Sequence, residues 1–160
     1  MKISILAVGK LKAGPEQQLF EKYERRSAAA GKALNIKSIQ TIEIPEARSN
    51  SSATRKSVEA SELCSRAPDK SRVVVFDERG KEFSSQQFAD FLQNELDNGT
   101  QSLCFAIGGP DGHGEELLNE AVLKVRFGSM TWPHQIARIL LAEQLYRAIT
   151  ILSNHPYHRE

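Results

Sequence analysis

The segment Leu103–Gly114 joins an apolar run to a loop suited to backbone contacts. Its first half is rich in strand-forming residues, and four glycines and a proline follow. Glycine lets backbone amides approach a ligand without an intervening Cβ and adopts positive φ where that is needed. Ligands of parallel α/β sheets bind outside the carboxyl ends of the strands, so this loop is a candidate binding site. A tight turn followed by a helix cap is the alternative interpretation.

The glycine loops do not match known phosphate-binding fingerprints. The turn from Gly9 to Gly14 lacks GxGxxG spacing, and in the second loop Glu115 and Glu116 stand where a phosphate loop requires Lys and Ser or Thr. Motifs of the GxSxG and HExxH type are absent, and Cys64 and Cys104 form no CxxC, so we expect no metal site or disulfide. The loops suit an adenosine-like ligand that carries little negative charge.

The segment Asn154–Glu160 ends the chain in side chains that titrate, stack or bind anions. Chain ends ordinarily fray, but Pro156 restricts this one and a hydrophobic helix precedes it. A disordered terminus is the alternative interpretation. The concentration of such side chains favours a tail that takes part in function.

Composition predicts one compact domain over residues 1–160. The chain is 40% hydrophobic and 26% charged, which argues against disorder. The first apolar run is too short for a signal peptide, and no segment approaches the roughly 20 apolar residues of a membrane span, so we expect a cytoplasmic protein. The net charge is +1, but residues 1–80 carry 15 Lys and Arg against 10 Asp and Glu, whereas residues 81–160 carry 6 against 10. This asymmetry hints at a face that meets an anion, although scattered surface charge is the commoner cause.

Alternating strand and helix patterns predict an α/β fold, a mainly parallel sheet with helices on both faces. Loops after the last three strands would then gather at one edge and hold one ligand together. The final helix is apolar nearly all round, which predicts burial on more than one side and a dimer built partly on this helix. The expected strands are 2–8, 34–44, 73–77 with a turn at 78–81, 102–108 and 126–132, and the expected helices are 15–31, 52–66, 84–99, 115–124 and 134–152.

Three motifs carry a resemblance to a known family. The segments Ile107–Gly112, Leu140–Arg147 and Asn154–Glu160 resemble those of the ribosomal RNA large subunit methyltransferase H family, which belongs to the SPOUT class. The resemblance implies a C-terminal trefoil knot, a homodimer, and methylation of N3 of a pseudouridine in large-subunit (23S) ribosomal RNA within assembled ribosomes. It also implies S-adenosyl-L-methionine as cofactor. The corresponding donor-binding residues are Phe76, Gly108, Gly109, Gly128, Ser129, Met130, Thr131, Trp132 and Pro133. Asp111 and His113 receive no role.

The reaction that the resemblance implies requires removal of the N3 proton or stabilisation of the resulting anion. Histidine has an unperturbed pKa suited to proton transfer near neutrality. The possible bases are His134, His155 and His158, and the possible anion-stabilising residues are Arg147 and Arg159, with Tyr157 beside them. We expect the tail to fold over the donor site of its own or the partner subunit.

Lys22, Arg25 and Arg26 share one face of the first helix and are candidates for RNA contact. A solvated face partly paired with Glu21 and Glu24 is the alternative for these residues. For the whole chain, a non-enzymatic RNA- or nucleotide-binding α/β module is the alternative function. Binding of S-adenosylmethionine would separate the two functions.

Overall fold

The computed structural model describes residues 1–158 and contains a five-stranded sheet in which all strand pairs are parallel. The strand order is β2-β1-β4-β3-β5. The elements in chain order are β1 (Lys2–Val8), α1 (Pro15–Gly31), a 3-10 turn (Lys32–Leu34), β2 (Ser38–Ile44), α2 (Ser52–Arg66), β3 (Arg72–Glu82), α3 (Ser85–Asp97), β4 (Ser102–Ile107), α4 (Glu115–Glu120), β5 (Ala121–Arg126) and α5 (His134–Leu152).

Helices cover both faces of the sheet, as predicted. Because side chains alternate along a strand, Ile3 and Ile5 of β1 pack with α1, α3 and α5, whereas Leu6 and Val8 pack with α2 and α4. The central strand β4 is buried along its whole length, which explains its continuous apolar sequence.

The last strand lies earlier than the sequence predicts. Strand β5 occupies Ala121–Arg126, so the predicted strand at 126–132 and the predicted helix end at 124 are both wrong. Pairing across the sheet decides this, because Leu123 lies opposite Val74 and Val125 lies opposite Phe76. Residues 127–133 instead form a loop in which Gly128 has a φ of 100°.

The predicted turn at 78–81 is a bulge within β3. The register between β3 and β5 shifts between Phe76 and Lys81, and the strand continues to Glu82. Gly80 permits this arrangement, since a Cβ there would lie 2.6 Å from backbone atoms of Val125. The bulge re-aims the residues that follow the buried part of β3.

Helix α5 packs against both α1 and α3, which confirms burial on more than one side. None of its residues is exposed. The helix ends where Asn154 adopts a left-handed φ of 53° and the amide of His155 donates to Thr150 O at 2.9 Å. Within residues 1–158, no helix has the length and apolar character needed to span a membrane. The trefoil knot stays a prediction, because strand order alone does not establish it.

Candidate functional site

A cavity of about 700 Å³ opens at the carboxyl edge of the sheet, within the size range of small-molecule sites. The glycine loop after β4, the end of the buried part of β3 and the loop after β5 line it together, as predicted. Ser129 is not among the lining residues. The other predicted donor-binding residues all line the cavity: Phe76, Gly108, Gly109, Gly128, Met130, Thr131, Trp132 and Pro133.

Two stacked phenylalanines form an apolar wall of the cavity. The rings of Phe76 and Phe127 have centroids 4.5 Å apart and are inclined by only 17°. Phe105 and Phe88 pack around Phe76 at tilted and edge angles. Sequence reasoning missed Phe127, because it assigned this residue to a strand. The wall is flat and suits an aromatic ligand group.

His113 connects the glycine loop to the end of β3. Its Nε2 lies 3.1 Å from Phe76 O, and only 5% of the residue is exposed. Burial lowers the pKa of His113 below its ordinary value of 6.5. A neutral ring therefore donates from Nε2 to the carbonyl, which holds both walls of the cavity together. The sequence analysis assigned His113 no role, since a histidine in a glycine loop gives no sign of burial.

Three carboxylates line the cavity beside three basic side chains, Lys56, Arg79 and Arg126. Asp77, Glu78 and Asp111 all line the cavity. Burial acts to raise the pKa of Asp77, but hydrogen bonds from the amide and guanidinium of Arg79 outweigh it and lower that pKa. Asp77 is therefore ionised near neutrality. Asp77 ends the expected apolar strand at 73–77, and this position could have identified it as a site residue from the sequence.

Helix α2 holds the glycine loop from behind. Arg55 forms two hydrogen bonds to Asp111, at 2.6 and 2.9 Å, and its Nη1 donates to Ser49 O. Glu59 is buried, accepts from the amide of Ala47 at 2.9 Å, and has no hydrogen-bond partner for Oε2. Burial raises the pKa of Glu59. The segment after β2, for which the sequence suggested no role, is therefore part of the site's support.

Gly109 faces this support. A Cβ at position 109 would lie 3.0 Å from Val8 Cγ1 and 3.3 Å from Glu59 Oε2. A side chain here would therefore meet packed groups behind the loop.

His134 begins α5 and lines the cavity, and its Nε2 lies 3.7 Å from Glu46 Oε1. One turn later, Arg138 is completely buried and joins α5 to the ends of β1 and β2. It donates to Glu43 at 2.5 Å and to Val8 O and Gly9 O at 3.0 and 2.8 Å. Burial lowers the pKa of Arg138, and Glu43 opposes that effect. An arginine among apolar helix residues was the available sequence signal, and we missed it.

The tail docks on its own subunit beside α1 and the second half of α5. The Tyr157 hydroxyl lies 3.3 Å from that of Tyr23 and donates to Glu143 at 3.0 Å. The guanidinium of Arg147 also binds Glu143 and lies over the Tyr157 ring at 5.0 Å. The rings of Tyr146 and Tyr157 are 4.6 Å apart. We call these five residues, Tyr23, Glu143, Tyr146, Arg147 and Tyr157, the tail cluster.

His155 and His158 flank Tyr157 in the described part of the tail. His155 is exposed, and its Nδ1 accepts from the Tyr157 amide at 3.2 Å. His158 is half-buried, and its buried Nδ1 has no hydrogen-bond partner. Arg159 lies outside the described residues. Burial, followed by contacts with Tyr23 and Glu143, raises the pKa of Tyr157, and Glu143 raises that of Arg147.

The tail cluster and the cavity are separate. Of residues 138–158, none lines the cavity. Arg147 follows His134 by 13 residues of α5, which is about 20 Å along a helix axis. The described residues therefore bring His134 to the cavity but leave Arg147, His155, Tyr157 and His158 elsewhere.

The basic residues of α1 lie next to the tail cluster. Lys22, Arg25 and Arg26 are exposed, and the Arg26 guanidinium lies 5.9 Å from the centroid of the Tyr146 ring. Arg25 donates to the carbonyl of Glu21. Within residues 1–158, no group of three or more His, Cys, Asp or Glu side chains is placed to hold a metal ion.

The chain that forms this parallel α/β sheet and its edge cavity is similar to known proteins along its length. Residues 1–158 match a family described as predicted SPOUT methyltransferases. Proteins named ribosomal RNA large subunit methyltransferase H are similar over 159 residues and 99% of both chains, with 49% identity in Allorhizobium ampelinum, 47% in Brucella anthropi and 46% in Bradyrhizobium diazoefficiens. The chain therefore belongs to the SPOUT methyltransferases and, within them, to the ribosomal RNA large subunit methyltransferase H family.

Proposed function

We propose that this protein transfers a methyl group from S-adenosyl-L-methionine to N3 of a pseudouridine in large-subunit ribosomal RNA. The cavity at the carboxyl edge carries the proposal, since its lining includes all but Ser129 of the residues that the family resemblance assigns to the donor. The names of the similar proteins support ribosomal RNA as the substrate.

The residues present fit this donor. The flat wall of Phe76 and Phe127 suits an adenine ring, and the glycine loop offers backbone groups at close approach. Glu78 lines the cavity and forms no ion pair within residues 1–158, so its carboxylate suits the positive charge of a sulfonium or an ammonium group. When bound, the donor supplies an already activated methyl group, so the protein's task is to align it with the acceptor nitrogen and to exclude water.

The acceptor N3 carries a proton that must leave or whose anion must be stabilised. His134 is the proposed base that the cavity already contains, whereas His155 and His158 belong to the tail. Arg147 and Arg159 are proposed to stabilise the anion, and Tyr157 to position the base. The Glu143 carboxylate orients Arg147 and Tyr157 through three hydrogen bonds to one oxygen.

We propose that the tail cluster serves the cavity of a partner subunit in a homodimer. The separation of about 20 Å along α5 supports this arrangement. Half-buried residues at 136, 140, 144 and 147 form a stripe along α5, and Met130 and Trp132 expose apolar surface at the cavity. Contact between two copies would cover this surface and bring one subunit's tail to the other's cavity.

Calorimetry with S-adenosylmethionine and transfer of a labelled methyl group to ribosomes test the proposal. Ribosomes that lack the modification should accept one methyl group per large subunit, at N3 of a pseudouridine. Ribosomes carrying uridine at that position are the matched control. Tight RNA binding without donor binding would instead support a non-enzymatic RNA-binding protein, and labelling of another base would refute the proposed specificity.

A further inference from the structure

Four basic side chains gather at the carboxyl edge of the sheet, on the side of the cavity away from α3. Lys10 and Lys12 lie in the loop after β1, and Arg48 lies in the loop after β2. The two strands are neighbours whose last residues pair, so both loops leave the same corner of the sheet. Lys56, in the second turn of α2, lines the cavity itself. We call these four residues the edge strip.

The charges of the edge strip are not neutralised within the described chain. None of its four side chains forms an ion pair with any of residues 1–158. Glu16, exposed in the first turn of α1, offsets part of the charge. Other carboxylates around these loops contact groups outside the strip: Glu43 binds Arg138, Glu59 binds the Ala47 amide, Asp111 binds Arg55, and Glu46 Oε1 lies 3.7 Å from His134 Nε2.

The backbone that carries the edge strip is fixed. The amide of Leu11, between Lys10 and Lys12, donates to Glu43 Oε1 at 3.1 Å. Arg48 stands between two residues held by α2, because the Ala47 amide binds Glu59 and the Ser49 carbonyl binds Arg55. An extended anion that binds across these cations therefore has to order their side chains but not the backbone that carries them.

We propose that the edge strip binds phosphates of the RNA strand that delivers the target base to the cavity. This inference rests on the proposed function. An RNA strand fits because it presents successive phosphates, and Lys56 brings the line of positive charge to the cavity where the base must enter. The strip is distinct from the basic face of α1, which adjoins the tail cluster.

The test compares two triple variants with equal changes of charge. Lys10→Gln, Lys12→Gln and Arg48→Gln remove three of the four charges of the edge strip and leave Lys56, which lines the cavity, in place. Lys2→Gln, Lys32→Gln and Lys37→Gln are the control, since these exposed lysines lie at the opposite end of β1 and β2 and form no ion pair within residues 1–158. Methyl transfer to ribosomes is measured at several salt concentrations, together with calorimetric affinity for S-adenosylmethionine.

The edge-strip variant should raise KM for ribosomes at least tenfold at moderate salt. A plot of the logarithm of the binding constant against the logarithm of the salt concentration should become shallower, its slope changing by about 2. The kcat and donor affinity of this variant should match those of the wild type, and the control triple should change neither KM nor the salt dependence. An edge-strip variant with unchanged KM, or a control variant with an equal loss, would refute the strip as an RNA site.

A photoreactive residue at position 48 identifies the partner. It should cross-link to ribosomal RNA near the modified pseudouridine, whereas cross-linking confined to a ribosomal protein would overturn the inference. Failure of the proposed function can be distinguished from failure of this inference. If the proposed function is wrong, the wild-type protein itself will bind no donor or transfer no methyl group.

Discussion

The Tyr157 hydroxyl donates a hydrogen bond to Glu143 Oε1 over 3.0 Å, and this contact fixes the tail against the second half of its own α5. The cavity lies beside the first residue of the same helix. The structure therefore does not place the described part of the tail over the cavity of its own subunit, which leaves the partner's cavity as the site that the tail is proposed to serve.

Mixed dimers test whether the tail acts across subunits. Deletion of residues 155–160 should leave folding and donor binding intact but abolish methyl transfer. Thr131→Trp, at an exposed position on the cavity lining, should block donor binding and leave the tail intact. Co-expression of the two inactive variants should restore about a quarter of wild-type activity, because half of the dimers then contain one complete site out of two. Activity of the deletion variant alone would show that catalysis does not need the tail.

Single changes in the tail should separate its roles. We expect His158→Ala to change the pH dependence of kcat if His158 is the base, and Arg159→Ala to lower kcat without moving that dependence. His155→Ala tests the other candidate base of the tail in the same way. An unchanged pH profile in all three variants would direct attention to His134.

Leu140 and Ile139 distinguish the dimer interface from the core. Ile139 is only 8% exposed and belongs to the core, so Ile139→Arg should unfold the subunit and is not a clean test of association. Leu140 is half-buried on the proposed interface stripe, so Leu140→Arg should yield a folded monomer. Sedimentation measures the association state and circular dichroism checks the fold. A wild-type protein that is monomeric at micromolar concentration would contradict the proposed dimer.

His113 makes stability depend on pH in a defined direction. Because its pKa is lowered in the folded state, the unfolded chain takes up a proton first as the pH falls through 6.5. The contribution of His113 to the free energy of unfolding should therefore be fully present above pH 6.5 and should decrease as the pH falls below it. Asp77 and Arg79 act on the ring with opposite signs. Urea titrations at about pH 7.5 and about pH 5.5 should show a smaller decrease in His113→Gln than in the wild type.

A side chain at position 109 should act on the packing behind the glycine loop. Gly109→Ala places a Cβ against Val8 and Glu59 and should lower the free energy of unfolding by about 1–3 kcal/mol. Gly14→Ala, whose Cβ would meet only Glu16 at 3.6 Å, should change it by less than about 0.5 kcal/mol. Gly109→Val should lower both stability and donor affinity. Full stability of Gly109→Val with lost donor affinity would show that the side chain points into the cavity instead.

Neutralising Lys22, Arg25 and Arg26 tests the basic face of α1. Exchange of all three for Gln should weaken RNA binding and flatten its salt dependence, because fewer counterions are released. Affinity for S-adenosylmethionine should stay unchanged. An unaltered salt dependence would make these residues ordinary solvated surface.

Local patterns in the sequence were sufficient to predict most elements and the place of the cavity. The continuous apolar run before Gly108 indicates a central strand, and a glycine loop at its carboxyl end lies where parallel sheets bind ligands. The capping box of Ser84 and Gln87 places the start of α3, and the apolar circumference of α5 indicates its burial. These signals are visible because each depends on residues a few positions apart.

Contacts between distant residues decided the rest, and no local pattern encodes them. Strand β5 is defined by its pairing with β3, some 50 residues earlier, and not by the residues beside it. Arg138 meets Val8, and Glu59 meets Gly109, only because strands and helices far apart in the chain converge on one edge of the sheet. The tail's position follows from the length of α5 and the contact of Tyr157 with Tyr23, which lie 134 positions apart in the sequence. The sequence by itself determined most of the elements and the family, whereas tertiary packing decided the place of β5, which polar groups share an environment and which functional residues lie apart.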